Sequence, residues 1–212
     1  MQVFTENDLL KQRHGNLAEF LEQNSSSFTI NSAQGNAFQP DISFRGFTAS
    51  PLLGVPLGLS VFQDGVRINE SVGDVVNWDL IPQSTISIIQ LIAGSNPTSG
   101  LNTLGGALAI TTKSGNNNPG GSVQVTGGSS GRKAIAFEQC GKRGPWDYFL
   151  TGNLLRDRGW ADHNPSRVAQ YFSKVGYQTE QTDVDLSLTL ADNTLQGTQT
   201  LPTSLASIPI PA

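Results

Sequence analysis

Five residues, Gly127-Gly128-Ser129-Ser130-Gly131, fit the G-x-S-x-G spacing in which a strand-to-helix turn presents a serine nucleophile. That chemistry also needs an acid and a histidine to activate the hydroxyl. Asp147 or Asp157, with His163, could formally supply them. The strand expected over Ser122 to Thr126 precedes the serine as required, but the residues after Gly131 alternate like a second strand. No βα repeats are present to build a hydrolase sheet, so a glycine-serine hairpin turn is the simpler reading. Gly100-Leu101-Asn102-Thr103-Leu104-Gly105-Gly106 has glycines spaced like a phosphate loop but lacks the Lys and Ser/Thr that hold phosphate and magnesium. It reads as a sharp turn followed by close packing of the strand from Ala107. Asp183 and Asp185 begin like a calcium loop, yet Leu188 occupies the position that needs glycine; they read as lumen or solvent residues. His14 and His163 have no partners at ligand spacing. The single cysteine, Cys140, can form neither an intrachain disulfide nor a paired-cysteine metal cage. No catalytic residue, cofactor or metal is expected, and the protein is not expected to be an enzyme.

The elements that must carry these residues are sparsely charged. Of 212 residues, 14% are charged against a usual ~25%, and the formal charge of −4 argues against a nucleic-acid partner. The 23 glycines and 11 prolines fall short of a low-complexity composition. No Asp, Glu, Lys or Arg occurs from Leu80 to Thr112, or from Gly46 to Gln63. A transmembrane helix is excluded in both runs by Pro51, Pro56, Pro82, Pro97 and many polar residues and glycines. Short strands and tight turns shielded from water explain such runs, and so does a neutral soluble surface. Arg45 is the one charge between Asp41 and Asp64, within a strand expected over Asp41 to Phe47. If buried it needs a carboxylate or carbonyl partner; otherwise it reaches solvent from a strand edge.

The two halves differ in pattern. In the first, Thr5 caps a helix with acid in its first turn, and Asn16 caps a second, where Leu17, Phe20 and Leu21 share a face. Strands are expected over Ser27 to Ile30, Asp41 to Phe47, Leu59 to Gln63, Ile86 to Ala93 and Ala107 to Thr112. Asp64-Gly65 marks a hairpin between Val61-Phe62 and Val66-Arg67-Ile68. After a linker at 116–121 the chain reads only as strands: Ser122 to Thr126, Lys133 to Gln139, Trp146 to Leu154, Ala169 to Tyr177 and Asp183 to Leu190. In the last, Val184, Leu186, Leu188 and Leu190 alternate with Asp183, Asp185, Ser187 and Thr189. Phe172 breaks the corresponding alternation around Tyr171. A soluble sheet with one wet face and a membrane barrel both produce this pattern. Strands of about ten residues with aromatics near their ends favour the barrel, although about five strands cannot close one. The other class consistent with the pattern is a stand-alone soluble β-rich binding module.

Several strings resemble the plug domain of TonB-dependent outer-membrane receptors. They are Gln39-Pro40-Asp41-Ile42-Ser43-Phe44-Arg45-Gly46-Phe47, the segment Val61 to Glu70, and Gly73-Asp74-Val75-Val76-Asn77-Trp78-Asp79-Leu80-Ile81-Pro82. Gly94-Ser95-Asn96-Pro97 and Gly100 to Leu108 continue the likeness in the same order. Residues from about 120, with Asp157-Arg158-Gly159-Trp160 in an early loop, are similar to the first barrel strands of that family. Ile89-Gln90 stands where the family commonly has Ile-Glu, and Ser99 where it has an aromatic.

The resemblance implies an α+β plug domain at 1–115, a linker at 116–121, and antiparallel all-β strands at 122–212 forming the start of an incomplete transmembrane β-barrel. In the family a barrel of about 22 strands is filled by the plug. Scarce small molecules such as ferric siderophores and other metal chelates bind outside, and TonB pulls on an N-terminal segment to remodel the plug. The implied location is the cell outer membrane, with lipid as a partner. Few charges are expected to anchor the plug. Arg45 is expected to pair with barrel carboxylates or face the ligand, Asn69, Glu70 and Ser71 to sit at a ligand-facing apex, and Gly46, Gly94, Gly100, Gly105 and Gly106 to serve tight turns. Neither a signal peptide nor a TonB box is evident before Thr5, and the chain stops at Ala212 after the proline-rich stretch Pro202 to Pro211. The expectation is therefore a fragment or truncated product that does not transport alone.

Overall fold

The computed structural model describes residues 2–11, 17–32, 35–55, 57–95, 100, 102–117, 119–159 and 163–198. The Asn16 cap, His14, Asn96-Pro97, Ser99, Leu101, Trp160 and the proline-rich end lie outside them. Among the described residues no helix is long and apolar enough to cross a membrane, and no three His, Cys, Asp or Glu residues gather as metal ligands.

The N-terminal unit opens with strand β1 (Gln2–Thr5) and helix α1 (Glu6–Lys11). Thr5 marks the junction: its backbone N–H and its hydroxyl both donate to Asp8 Oδ2, at 3.0 and 2.8 Å, closing the first turn. Helix α2 (Leu17–Asn24) buries Leu17, Ala18, Phe20 and Leu21. At its end Asn24 Nδ2 donates to the Phe20 carbonyl one turn back, at 2.8 Å. A small antiparallel sheet follows, β2 (Phe28–Asn31), β3 (Asp41–Phe44) and β4 (Phe47–Ala49), in that order. The main sheet adds β5 (Leu59–Gln63), β6 (Val66–Arg67), β7 (Ile86–Ala93) and β8 (Gly106–Thr112) in the order β1-β7-β8-β5-β6. Among the described strands of this sheet β5 and β8 pair in parallel and the others antiparallel. Asp64 and Gly65, both at positive φ, make the β5–β6 turn, as the Asp-Gly pair indicates.

These elements enclose one apolar core. Phe20 and Leu21 of α2, Ile42 and Phe44 of β3, Leu59 and Val61 of β5, Ile89 of β7 and Leu108 and Ile110 of β8 meet within it, and Phe4 packs edge-on against Phe20. Phe47 is pinned between two glycines. A Cβ on Gly58 would lie 2.6 Å from its ring and one on Gly105 only 2.4 Å away, and the Gly105 N–H donates to the Gly58 carbonyl. Gly105 thus serves close packing. Gly46, Gly94 and Gly100 carry positive φ; Gly106, expected in a turn, instead opens β8, where a Cβ would meet the Ile92 carbonyl oxygen at 2.3 Å.

The second half is an antiparallel meander of β9 (Gly120–Gly127), β10 (Lys133–Arg143), β11 (Trp146–Asp157), β12 (Ser166–Gln178) and β13 (Asp183–Leu195). Among the described residues this sheet is open, with β9 and β13 as its edges. Connections at one rim are short, residues 144–145 and 179–182. Those at the other, residues 128–132 and 158–165, are longer. Short turns at one rim and longer loops at the other are the habit of outer-membrane barrels. The Gly127–Gly131 segment joins strand to strand, so the nucleophile-elbow geometry is absent.

Placing a Cβ on Gly105 tests the Phe47 clamp. Gly105→Ala is expected to destabilise the N-terminal unit by about 1–3 kcal/mol through overpacking, and Phe47→Leu in the same chain should restore at least half. Urea unfolding of the full chain in detergent micelles, followed by tryptophan fluorescence, gives the midpoints. An unchanged midpoint for Gly105→Ala removes the clamp.

Candidate functional site

Two rows of side chains alternate along the wall strands. One row of the five-stranded sheet carries Val123, Val125, Ile135, Phe137, Trp146, Tyr148, Leu154, Tyr171, Val175, Val184, Leu186, Leu188 and Leu190, all exposed. The other carries Glu138, Asp147, Thr151, Gln170, Lys174, Asp185 and Asn193, and here the N-terminal unit is seated. Phe149 and Phe172 also belong to this inner row. They are 1% and 0% exposed, 6.1 Å apart, and form an apolar patch with Cys140. Phe172, which breaks the polar–apolar alternation of the sequence, therefore takes its regular place in the inward row as an apolar member.

The seam is otherwise built from polar contacts. Lys113, 6% exposed at its side chain, puts Nζ 2.8 Å from both Glu6 Oε1 of α1 and Glu138 Oε2 of β10. Ser122 of β9 donates to the other oxygen of Glu138 at 3.0 Å. Lys174 of β12 lies 3.0 Å from Asp185 of β13 and 3.4 Å from Asp64 in the β5–β6 turn. Asp64 in turn accepts the Thr112 N–H at 2.8 Å, so this turn is tied both to β8 and to the wall. Buried Asp147 accepts the Gly115 N–H at 3.0 Å and Asn116 Nδ2 at 3.1 Å. A Cβ on Gly115 would meet the Gly141 carbonyl oxygen at 2.0 Å, so only glycine lets the chain pass this close to the wall.

Higher along the strands, Ser84 and Thr151 share a hydrogen bond of 2.9 Å. The Asp79 carbonyl accepts from Gln170 Nε2 and from Asn193 Nδ2. Near the long-loop rim Asn36 donates to Ser166 Oγ at 3.0 Å and to the Gln196 carbonyl at 2.8 Å. Burial disfavours the Lys113 ammonium, but the hydrogen bonds to Glu138 and Glu6, with their charges, outweigh that cost and hold its pKa above the ordinary lysine value.

The residues singled out in the sequence fall elsewhere. Arg45 is not in a strand: Arg45 (φ 51) and Gly46 (φ 86) form the turn between β3 and β4. Its guanidinium is exposed, lies 5.2 Å from the Phe44 ring centre, and has no ion-pair partner among the described residues. Asn69 is spent internally. Its Oδ1 accepts the Val61 N–H at 2.7 Å, and its Nδ2 donates to the Leu59 and Asp74 carbonyls. Glu70 accepts from Asn77, and Glu70 and Ser71 are exposed. Lys113 and Lys174, the two cations of the seam, were not among the residues singled out. The signal was available: Lys113 closes the longer charge-free run, and Lys174 is the one charge in its strand's polar row.

An N-terminal α+β unit docked on the polar face of an outwardly apolar meander is the arrangement of a plug against a barrel wall. Residues 1–107 match the family model of the TonB-dependent Receptor Plug Domain, just over half of the chain. The chain belongs to that family. No curated protein matches it by sequence. Its fold is similar to that of the ferripyoverdine receptor of the outer membrane of Pseudomonas aeruginosa, with a TM-score of 0.68 at 13% identity, covering 91% of this chain and 25% of that one. It is also similar to the siderophore receptor PirA from Acinetobacter baumannii, with a TM-score of 0.64 at 19% identity, covering 91% and 31%. The FrpB iron transporter from Neisseria meningitidis gives 0.67 at 13%, covering 90% and 31%. The chain spans about a quarter to a third of the length of these receptors.

Lys113→Met leaves Glu6 and Glu138 facing each other without their cation. The expected cost to docking is about 2–3 kcal/mol, below the ~3–5 kcal/mol of a fully buried pair because both carboxylates are about a quarter exposed. Exchange of the Gly115 amide, which donates across the seam, should accelerate about 30- to 150-fold; an unchanged rate contradicts this role. The pH dependence has a definite sign. A raised ammonium pKa gives stabilisation that is complete below the ordinary lysine value and lost as pH rises through the docked-state value. Gly115 protection in the parent chain should therefore fall in that alkaline window, and Lys113→Met should lack the step.

Proposed function

We propose that the chain supplies the plug and part of the barrel wall of an energised outer-membrane importer for a scarce ligand, with ferric siderophores as the leading class. The observation that carries this reading is the division of the wall strands into an exposed apolar row and a polar row on which the N-terminal unit sits. Family membership and the likeness to siderophore receptors support it. The proposed division is a plug at 1–115 and wall strands from Gly120; the linker expected at 116–121 is shorter, because Gly120 and Gly121 already pair with β10 as the start of β9. No bond-making chemistry is required: the work is conformational, with TonB as the inner-membrane partner and a metal chelate as cargo.

The seam suits that work. A gate must be tight at rest yet movable, and polar contacts exchange with water at a net cost of about 0.5–1.5 kcal/mol each. Among the described residues β1 is an edge strand paired with β7 alone, and α1 follows it directly. Tension on the N-terminus would reach Glu6 first, and through Lys113 the wall at Glu138. Arg45, Glu70 and Ser71, exposed on turns and loops of the plug, remain the side chains proposed to meet ligand; Asn69 positions the loop that carries two of them.

Deleting the gene in its own host under iron limitation should remove uptake of radiolabelled iron from at least one member of a panel of ferric siderophores. A protonophore should remove the same uptake in the parent. Unchanged uptake across the panel in the deletion strain would rule out this function for that ligand class.

A further inference from the structure

On the outward face, one row of the wall sets three cations side by side. Lys133 of β10 is directly opposite Arg156 of β11, and Arg156 is directly opposite Arg167 of β12. All three are exposed, and like charges placed opposite one another across strands repel. No carboxylate of the described residues lies within ion-pair distance of any of them; Asp157 is 4.0 Å from Arg132 instead. Asp192 shares the outward face one row below, without pairing to Arg167.

Two adjoining hollows share these three cations. One of about 400 Å³ opens toward the long-loop rim and adds Arg158. The other, about 530 Å³, runs down the apolar face between Val125, Ile135, Leu154 and Ala169. The height of the row also matters. Arg156 is ten residues along β11 from Trp146, which packs on Tyr177 at the short-turn rim. Ten residues span about 34 Å of strand, or about 26 Å along the membrane normal at a tilt of ~40°, against an apolar band of ~25 Å. The cations therefore stand at the boundary between hydrocarbon and headgroups.

We propose that Lys133, Arg156 and Arg167 bind the phosphorylated headgroup of an anionic lipid in the leaflet on the long-loop side, with an acyl chain lying in the apolar hollow beneath. The cations gain the counter-charge their register denies them, and the hollow gains an apolar occupant, so an amphiphile satisfies both where a free anion satisfies one. The site rests on the outward face meeting lipid, and the test separates the two ideas.

The full chain is placed in lipid nanodiscs, and quenching of Trp146 by brominated acyl chains reports insertion. Retention of dioleoyl phosphatidic acid is then compared with that of dioleoyl phosphatidylcholine by native mass spectrometry. The expected preference for phosphatidic acid is at least tenfold. It should vanish in Lys133→Gln/Arg156→Gln/Arg167→Gln and persist in Lys142→Gln/Arg143→Gln at the opposite rim. Trp146 quenching should be intact in both, and 10-fold excess inorganic phosphate should not displace the lipid. Quenching without a lipid preference, a preference retained in the triple variant, or full displacement by inorganic phosphate overturns the lipid site while leaving the membrane reading standing. Absence of quenching in the parent overturns both.

Discussion

Each wall strand must satisfy two incompatible neighbours at once, because its side chains point alternately to opposite faces. Everything else in the molecule follows from how the two faces are met. The outward row, from Val123 through Leu190, is apolar and exposed. The inward row is mostly polar and would be poorly placed against hydrocarbon, so it takes the N-terminal unit as its solvent. An open sheet with such faces has little reason to hold its shape alone. With the plug seated, Asp147, Thr151, Gln170 and Lys174 are each nine-tenths or more buried and each has a partner.

The resulting seam is strong in sum and weak in each part. Two lysines carry its ion pairs, and each bridges carboxylates on both sides: Lys113 joins Glu6 to Glu138, and Lys174 joins Asp64 to Asp185. A buried cation with two acidic partners fixes position well, yet it contributes modest net stability because desolvation offsets the Coulombic gain. That balance suits a stopper meant to be moved. The expectation that few charges anchor the plug is thus half met: few are present in the runs themselves, but the ones that flank them are the anchors. Asp64 and Lys113 each close a charge-free run on its C-terminal side, Asp79 stands just before the longer run, and all three touch the wall.

Much of this was legible in the residues. Val184 to Leu190 alternates cleanly because successive side chains of β13 point to the two unlike faces of the sheet, and the Asp64-Gly65 turn announces its hairpin. The wall strands proved longer than expected where alternation fades, as in Leu155, Arg156 and Asp157 or in Ala191 to Leu195, since strand ends at the rims answer to headgroups and loops. β1 was hidden because four residues beside a helix cap carry too little pattern, and only pairing with β7 makes them a strand. Arg45 was misplaced in a strand because Asp41 to Arg45 alternates polar and apolar, while the turn depends on backbone φ at Arg45 and Gly46. Phe172 looked anomalous because its partner is not local: it packs against Phe149 of β11, in a patch with Cys140 of β10, which only the pairing of the wall strands brings together. Which charges meet across the seam depends on long-range docking, and no local spacing encodes that.

The central claim is that the two rows of each wall strand see different media. Site-directed spin labels placed one at a time along β13 from Val184 to Leu190, in the full chain in lipid bilayers, test this most directly through collision with oxygen and with a polar nickel chelate. Labels at 184, 186, 188 and 190 should favour oxygen, with 185, 187 and 189 protected from it, giving a period of two residues. Uniform accessibility to the nickel chelate along the strand, with no alternation, would contradict the account.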